Sequence, residues 1–159
     1  PSVEKGVKTA CIDGIVAGYN VVDVKIDFYD GKQHPVDSKD IAFQTAGKHA
    51  FLEAFMSAKP GLLEPITNIE VTVPEDYMGD VMGDISGKRG KIIGMDSEGH
   101  IQKIKAQVPQ AELHNYATTI RSITGGRGFH SESHSHYENL PRDLEKKVIA
   151  EYNRKREEQ

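Results

Sequence analysis

The chain has 159 residues and a formal net charge of −4. This length accommodates one domain or two small ones, each with a hydrophobic core. Hydrophobic residues make up 37% and charged residues 28%, which excludes a disordered or collagen-like chain. No apolar run reaches the ~20 residues that span a bilayer, so we expect no membrane partner. The single cysteine, Cys11, cannot form an internal disulfide.

The first sixty residues predict two helices with a strand between them. Apolar residues at three- and four-residue spacing indicate a helix over 3–13. Strict alternation of apolar and polar residues over 22–29 predicts a strand with one solvent-exposed face. Asp37 and Ser38 then offer N-cap oxygens to a helix over about 39–58.

Lys59-Pro60-Gly61 marks a break in the pattern, and we place the domain boundary there, giving domains 1–62 and 63–159. The second domain also carries a C-terminal helix after Pro141. Six elements precede that helix: strand 66–73, helix 75–86, strands 91–95 and 101–108, helix 110–124 and strand 127–137. The order β-α-β-β-α-β is typical of ferredoxin-like domains, so the predicted fold class is α+β.

The sequence contains no motif for nucleotide hydrolysis. A phosphate-binding loop needs four residues between its glycines and then Gly-Lys-Ser/Thr, whereas Gly83 and Gly87 enclose three residues and Arg89 replaces the hydroxyl residue. Gly-x-Ser-x-Gly and His-Glu-x-x-His are absent as well. We therefore predict no catalytic residue and no bound cofactor on this chain.

The turn from Gly87 to Gly90 resembles the GxxG loop of KH domains, which clamps a nucleic-acid backbone. An independent KH-like RNA-binding module is therefore one alternative. It requires a helix on both sides of the loop, but the residues after Gly90 predict a strand. The simplest interpretation is a helix C-terminal turn with a basic surface, and a further one is contact of Lys88, Arg89 and Lys91 with rRNA.

A histidine-rich strand near the end of the second domain offers candidate metal ligands. Alternation predicts that His130, Glu132, His134 and His136 share one face, with neighbours ~6–7 Å apart. Such pairs can bind zinc or nickel, which makes a metal-binding domain a further alternative. His130 and His136 would lie ~20 Å apart, however, too far for one tetrahedral site. A solvated, hydrogen-bonded histidine face is the simpler interpretation.

Several ordered motifs resemble bacterial elongation factor G. The first sixty residues are similar to its fourth domain, and the rest is similar to its fifth. The fourth-domain motifs are Ala17-Gly18-Tyr19-Asn20, Tyr29-Asp30-Gly31, Val36-Asp37-Ser38 and Ala42-Phe43. The fifth-domain motifs are Leu62-Leu63-Glu64-Pro65, Val73-Pro74-Glu75-Asp76-Tyr77, Gly83-Asp84, Arg89-Gly90, Val108-Pro109, Tyr116-Ala117-Thr118, Gly126-Arg127-Gly128 and Leu140-Pro141.

The resemblance implies a cytoplasmic, ribosome-binding C-terminal region of a GTPase that drives tRNA and mRNA movement. GTP and Mg²⁺ would bind upstream domains of the parent protein. The resemblance places one loop at the tip of the fourth domain, against the tRNA–mRNA duplex in the decoding site. This tip loop consists of Asp30, Gly31, Lys32, Gln33 and His34. It also implies that the fifth domain meets rRNA and the stalk-base ribosomal protein, through Lys88, Arg89, Lys91, Arg121 and Arg127.

Three features depart from the family pattern. His130, Glu132 and His134 occupy positions that are mostly apolar in the family, and Pro35 stiffens the loop after His34. A divergent paralogue is therefore one interpretation. The match also begins partway through the fourth domain, after strands that the family has there. A bare sheet edge tends to pair with another chain, so we expect dimerisation by strand exchange.

Overall fold

The computed structural model describes all 159 residues, which form two units. The first unit comprises Pro1–Leu62 and Pro141–Gln159, and the second comprises Leu63–Leu140. The chain thus divides at residues 62 and 63, where the sequence pattern changes. The C-terminal helix, which the sequence pattern groups with residues 63–159, belongs to the first unit instead.

Two helices that pack closely form the start of the first unit, α1 (Ser2–Asp13) and α2 (Asp40–Ser57). Both match the predicted helices. Their close approach depends on Gly6, because a β-carbon there would lie 2.0 Å from the Gln44 carbonyl oxygen. The Ser2 hydroxyl also donates a hydrogen bond to Asp40, joining the first turns of the two helices. This hydrogen bond is the main reason why the pKa of Asp40 is lowered.

The prediction of a strand over residues 22–29 is wrong. These residues carry no strand, and no backbone–backbone hydrogen bond involves residues 22–33. A strand is stable only when a neighbour accepts and donates its backbone hydrogen bonds, and no other segment of this chain forms backbone–backbone hydrogen bonds with this one. We call residues 22–29 the unpaired segment.

The second unit alternates strands and helices in the predicted order. Its elements are β1 (Leu63–Pro74), α3 (Met78–Gly87), β2 (Lys91–Glu98), β3 (Ile101–Pro109), α4 (Tyr116–Ile123) and β4 (Phe129–Asn139). Short 3₁₀ turns, Glu75–Tyr77 and Gln110–Glu112, precede the two helices. The four strands form an antiparallel sheet in the order β2-β3-β1-β4. These observations confirm the predicted α+β, ferredoxin-like domain.

One face of this sheet packs against α3 and α4 and forms the hydrophobic core. Alternate residues of the central strands are buried there, which explains why the period-two pattern of β1 and β3 is so regular. The core residues are Ile69, Val71, Val73, Val81, Ile85, Ile104, Ala106, Val108, Leu113, Tyr116 and Ile120. The opposite face carries polar residues such as Lys103 and Lys105, which pair with Glu98 and Asp96.

The last helix, α5 (Arg142–Glu157), has no buried residue. Its Tyr152 ring packs on Gly18, where a β-carbon would lie 2.7 Å from Cε2 of the ring. This contact ties the helix to the first unit. None of the helices is long and apolar enough to cross a membrane.

Candidate nucleic-acid interface

The tip loop, residues 30–34, lies in the first unit between the unpaired segment and α2. All five residues are exposed. The Gly31 N–H donates a hydrogen bond to Oδ1 of Asp30 at 2.8 Å, which defines the turn at the start of the loop. Lys32, Gln33 and His34 then present an ammonium, an amide and an imidazole to solvent. This arrangement can offer hydrogen-bond donors to phosphates and base edges.

Ser38 forms hydrogen bonds with His34, the last residue of the tip loop. The His34 N–H donates to Oγ of Ser38 at 2.7 Å, and the Ser38 N–H donates to the His34 carbonyl at 3.2 Å. Nδ1 of the exposed His34 ring lies 3.5 Å from a carboxylate oxygen of Asp37. Ser38 and Asp37 therefore do not cap α2, as the sequence predicts. The N-cap residue is Lys39, without a side-chain hydrogen bond.

Two aromatic residues beside the tip loop escaped the sequence analysis as site candidates. Tyr29 is 93% exposed and Phe28 is 69% exposed. An exposed aromatic ring is a stacking platform for an unpaired base. Because both residues belong to an alternating pattern that predicts a strand, the sequence analysis assigned them a structural role only. The signal that could have identified them is their position directly before the Asp-Gly turn.

The basic turn after α3 is largely occupied by contacts within the second unit. The Lys88 ammonium lies 3.4 Å from an Asp84 carboxylate oxygen and 6.0 Å from the centre of the Tyr116 ring. The Arg89 guanidinium donates hydrogen bonds to Glu64 and to Glu112. Both cations thus have partners in the fold, whereas the neighbouring Lys91 is exposed.

Arg121 and Arg127 lie at the same end of α4. The Gly126 N–H donates to the Arg121 carbonyl at 2.7 Å, so a tight turn joins the two arginines. Arg127 stacks on Tyr77, with Cζ 4.9 Å from the ring centre, and its Nη2 donates to the tyrosine hydroxyl. Arg127 is held in place but remains exposed, and Arg121 is exposed as well. This pair is the more accessible basic surface of the second unit.

The structure does not favour the KH-like alternative. Strand β2 begins at Lys91, directly after Gly90, so the second flanking helix of a KH loop is missing. Gly90 itself packs against the core, because a β-carbon there would lie 2.6 Å from Cγ2 of Ile85 and 2.9 Å from Cγ2 of Val108. The turn is a packed helix terminus.

The histidine strand is split between the two faces of the sheet, which corrects the predicted shared face. In β4, His134 is paired with Thr67 and His136 with Ile66, so Ser135 forms a bulge between them. Thr67 and Ile66 are consecutive residues of one strand and point to opposite faces. His136 therefore faces away from the side that holds the other three candidates.

Each buried or half-buried histidine of β4 has a carboxylate partner. Nε2 of His130 lies 2.6 Å from Oε1 of Glu132, and the ring contacts Tyr116 edge-on at 4.9 Å between centroids. Nε2 of His136 lies 2.8 Å from Oε1 of Glu138. The imidazole, with Lys91 nearby, lowers the pKa of Glu138. No group of three His, Cys, Asp or Glu residues is arranged to hold a metal ion, so the metal-binding alternative is not favoured.

Comparison with known proteins gives matches along most of the chain. The family model described as "Elongation factor G, domain IV" matches residues 1–59, and "Elongation factor G C-terminus" matches residues 61–148. Elongation factor G of Aquifex pyrophilus is 54% identical over 151 residues, which are 95% of this chain and 22% of the relative. A crystal structure of a protein from Thermus thermophilus has a TM-score of 0.84 at 38% identity. That match covers 96% of this chain and 23% of the other.

Proposed function

This chain belongs to the elongation factor G family, and we propose that it is the ribosome-binding C-terminal region of a factor that promotes tRNA–mRNA translocation. The observation that carries the proposal is the match to the fourth domain and the C-terminus in sequence order. The GTPase domain is not among the matched residues. The chain itself would perform no bond-making step.

The tip loop would insert into the decoding site and contact the tRNA–mRNA duplex. Its exposure supports this role, because the backbone of His34 is hydrogen-bonded to Ser38 while its ring remains accessible. Lys32 would attract phosphates, and Tyr29 would stack on a base. The loop would act through shape and polar contact.

The second unit would meet rRNA and the stalk-base ribosomal protein. Arg121, Arg127 and Lys91 are the exposed cations that suit this contact, and Lys88 is partly accessible. Arg89 is the weakest of the predicted contacts, because Glu64 and Glu112 already take up its hydrogen-bond donors. In the complete protein, upstream domains would bind GTP and Mg²⁺ and move this region in the cytoplasm.

Co-sedimentation of the purified chain with ribosomes at several salt concentrations tests the proposal. We expect binding that weakens as salt rises, because phosphate contacts release counterions. Lys32→Glu should reduce the affinity about fivefold, since it replaces an attraction of about 0.5–1 kcal/mol by a repulsion. Lys8→Glu, the same charge change on the exposed face of α1, is the matched control. Equal effects of the two variants, or no binding at low salt, would contradict the proposal.

A further inference from the structure

The turn that joins α4 to β4 is fixed by hydrogen bonds within the second unit. The hydroxyl of the fully buried Thr124 donates to the helix carbonyl four residues earlier at 2.7 Å and accepts the Gly128 N–H at 2.7 Å. Between these two residues, Gly125 and Gly126 adopt left-handed φ angles of 59° and 84°, which glycine adopts without strain. The backbone on both sides of Arg127 is therefore held against the core.

The side chain of Arg127 is held as well, by Tyr77. Tyr77 is half-buried at the end of the 3₁₀ turn before α3, 50 residues away along the chain. The Arg127 guanidinium lies over its ring, with Cζ 4.9 Å from the ring centre, and Nη2 donates a hydrogen bond to its hydroxyl. The same hydroxyl lies 3.8 Å from the position of a β-carbon on Gly125, so Tyr77 also packs beside the turn. Two distant parts of the second unit thus define the direction of one arginine side chain.

This arrangement leaves most donors of the Arg127 guanidinium free to bind a ligand. A guanidinium carries five N–H donors, and the contact with Tyr77 uses one of them. Arg89 differs, since three of its nitrogens donate to Glu64 and Glu112. An arginine that stacks on an aromatic ring can still bind a phosphate through two parallel hydrogen bonds at its edge. Because the side chain is already ordered, such binding loses less conformational entropy.

We propose that Tyr77 is a positioning residue that orients Arg127 toward a backbone phosphate of rRNA. The inference rests on the proposed function, in which rRNA is the partner of the second unit. Arg121 lies across the same turn, since its carbonyl accepts the Gly126 N–H at 2.7 Å, and it adds positive charge beside this phosphate. Tyr77 acts through Arg127, by lowering the entropic cost of ordering its side chain.

Co-sedimentation with ribosomes at several salt concentrations separates positioning from direct contact. Arg127→Ala should weaken binding about tenfold and make the slope of log affinity against log salt shallower by about one, because one phosphate contact is lost. Tyr77→Leu should weaken binding about fivefold and keep the slope, because the contact still forms, but from a disordered side chain. Tyr77→Phe keeps the ring under the guanidinium, so it should weaken binding by no more than about twofold.

Combined variants show whether Tyr77 acts through Arg127. In an Arg127→Ala background, Tyr77→Leu should change the affinity by less than about 1.5-fold, because no guanidinium remains to be oriented. Tyr137→Leu is the matched control, an exposed tyrosine of the same unit that packs on His134 and not on an arginine, and it should leave the affinity unchanged. An equal loss from Tyr77→Leu in both backgrounds would overturn the proposal.

Arg127→Lys gives a second test that leaves Tyr77 in place. Lysine keeps the charge but cannot stack on the ring and bind a phosphate at two points, so binding should weaken about fivefold with the salt slope unchanged. A folded Arg127→Lys chain that binds as tightly as the parent would overturn the proposal.

The positioning role and the proposed function fail in different ways. Binding that Lys32→Glu weakens, but that Arg127→Ala and Tyr77→Leu leave unchanged, would overturn the positioning role alone. A parent chain that does not bind ribosomes even at low salt would overturn the proposed function, and this inference with it.

Discussion

Arg89 donates two parallel hydrogen bonds to Glu64, from Nη1 to Oε1 at 2.7 Å and from Nη2 to Oε2 at 3.0 Å. Nε of Arg89 also donates to Glu112 at 3.2 Å. We call these three residues the Arg89 clamp. The Glu64 side chain is only 9% exposed, and its hydrogen bond is the main reason why the pKa of Arg89 is raised. The clamp joins the start of β1 to the turn after α3, where Arg89 has a left-handed φ of 58°.

Replacing Arg89 by Lys should therefore destabilise the second unit. Lysine keeps the charge and the β-carbon but cannot form the parallel pair, so Glu64 stays buried with one partner at most. We expect the free energy of unfolding to fall by about 2 kcal/mol, measured by urea denaturation. Arg121→Lys, on the exposed face of α4, is the control and should change it by less than about 0.5 kcal/mol. Equal losses of stability in the two variants would mean that the Arg89 clamp does not stabilise the fold.

Gly6→Ala should separate α1 from α2. The added methyl group would lie 2.0 Å from the Gln44 carbonyl oxygen, which is helix backbone and cannot move alone. Overpacking of this kind costs about 1–3 kcal/mol. Gly83→Ala in α3 is the matched control, since nothing lies within 4 Å of its β-carbon. The control should stabilise the chain by about 0.5–1 kcal/mol. Thermal unfolding followed by circular dichroism measures the stability of both variants. A stable Gly6→Ala variant would contradict the observed helix contact.

Tyr116 should make the second unit less stable in alkali. Burial, together with the nearby Asp84 carboxylate, raises the pKa of its phenol well above its ordinary value. Above pH ~10 the unfolded state loses this proton while the folded state keeps it, so stability falls by up to about 1.4 kcal/mol per pH unit. Tyr116→Phe should remove this part of the slope. At neutral pH its effect should be within about 1 kcal/mol, because the hydroxyl has no hydrogen-bond partner.

An unchanged alkaline slope in Tyr116→Phe would contradict this assignment. Comparing the variant with the parent chain is essential, because the five other tyrosines titrate in the same range.

Zinc or nickel should not raise the melting temperature of the chain. A ligand that binds only the folded state must raise it, and the bulge at Ser135 prevents His136 from joining His130 and His134. A saturable increase that His134→Ala abolishes would contradict this expectation.

The second unit was predictable from the sequence because the apolar residues of its strands and helices repeat with clear periods. The alternation of Ile69, Val71 and Val73 gives a strand, and the spacing of Val81 and Ile85 gives a helix. Every such element finds a neighbour within the chain. Periodicity indicates which face of an element is apolar, and in the second unit that face packs against another element of the same unit.

The unpaired segment shows where this reasoning fails. Residues 22–29 alternate as regularly as β1, but periodicity does not indicate whether another strand lies alongside. The bulge at Ser135 was equally hidden, since one extra residue in β4 changes the face of His136 without altering the composition. The role of Arg89 depends on its contacts with Glu64 and Glu112, which are more than 20 residues away in sequence. The role of Ser38 depends on a turn that brings it back to His34. Residue spacing alone does not reveal either contact.

Directed hydroxyl-radical probing of the ribosome tests the central claim most directly. A single iron chelate would be attached at residue 33 through Gln33→Cys in a Cys11→Ser background, with Lys8→Cys on α1 as the control. If the tip loop enters the decoding site, the chelate at residue 33 should cleave small-subunit rRNA around that site and the control should not. Cleavage that is absent, or the same from both positions, would contradict the proposed role of the chain.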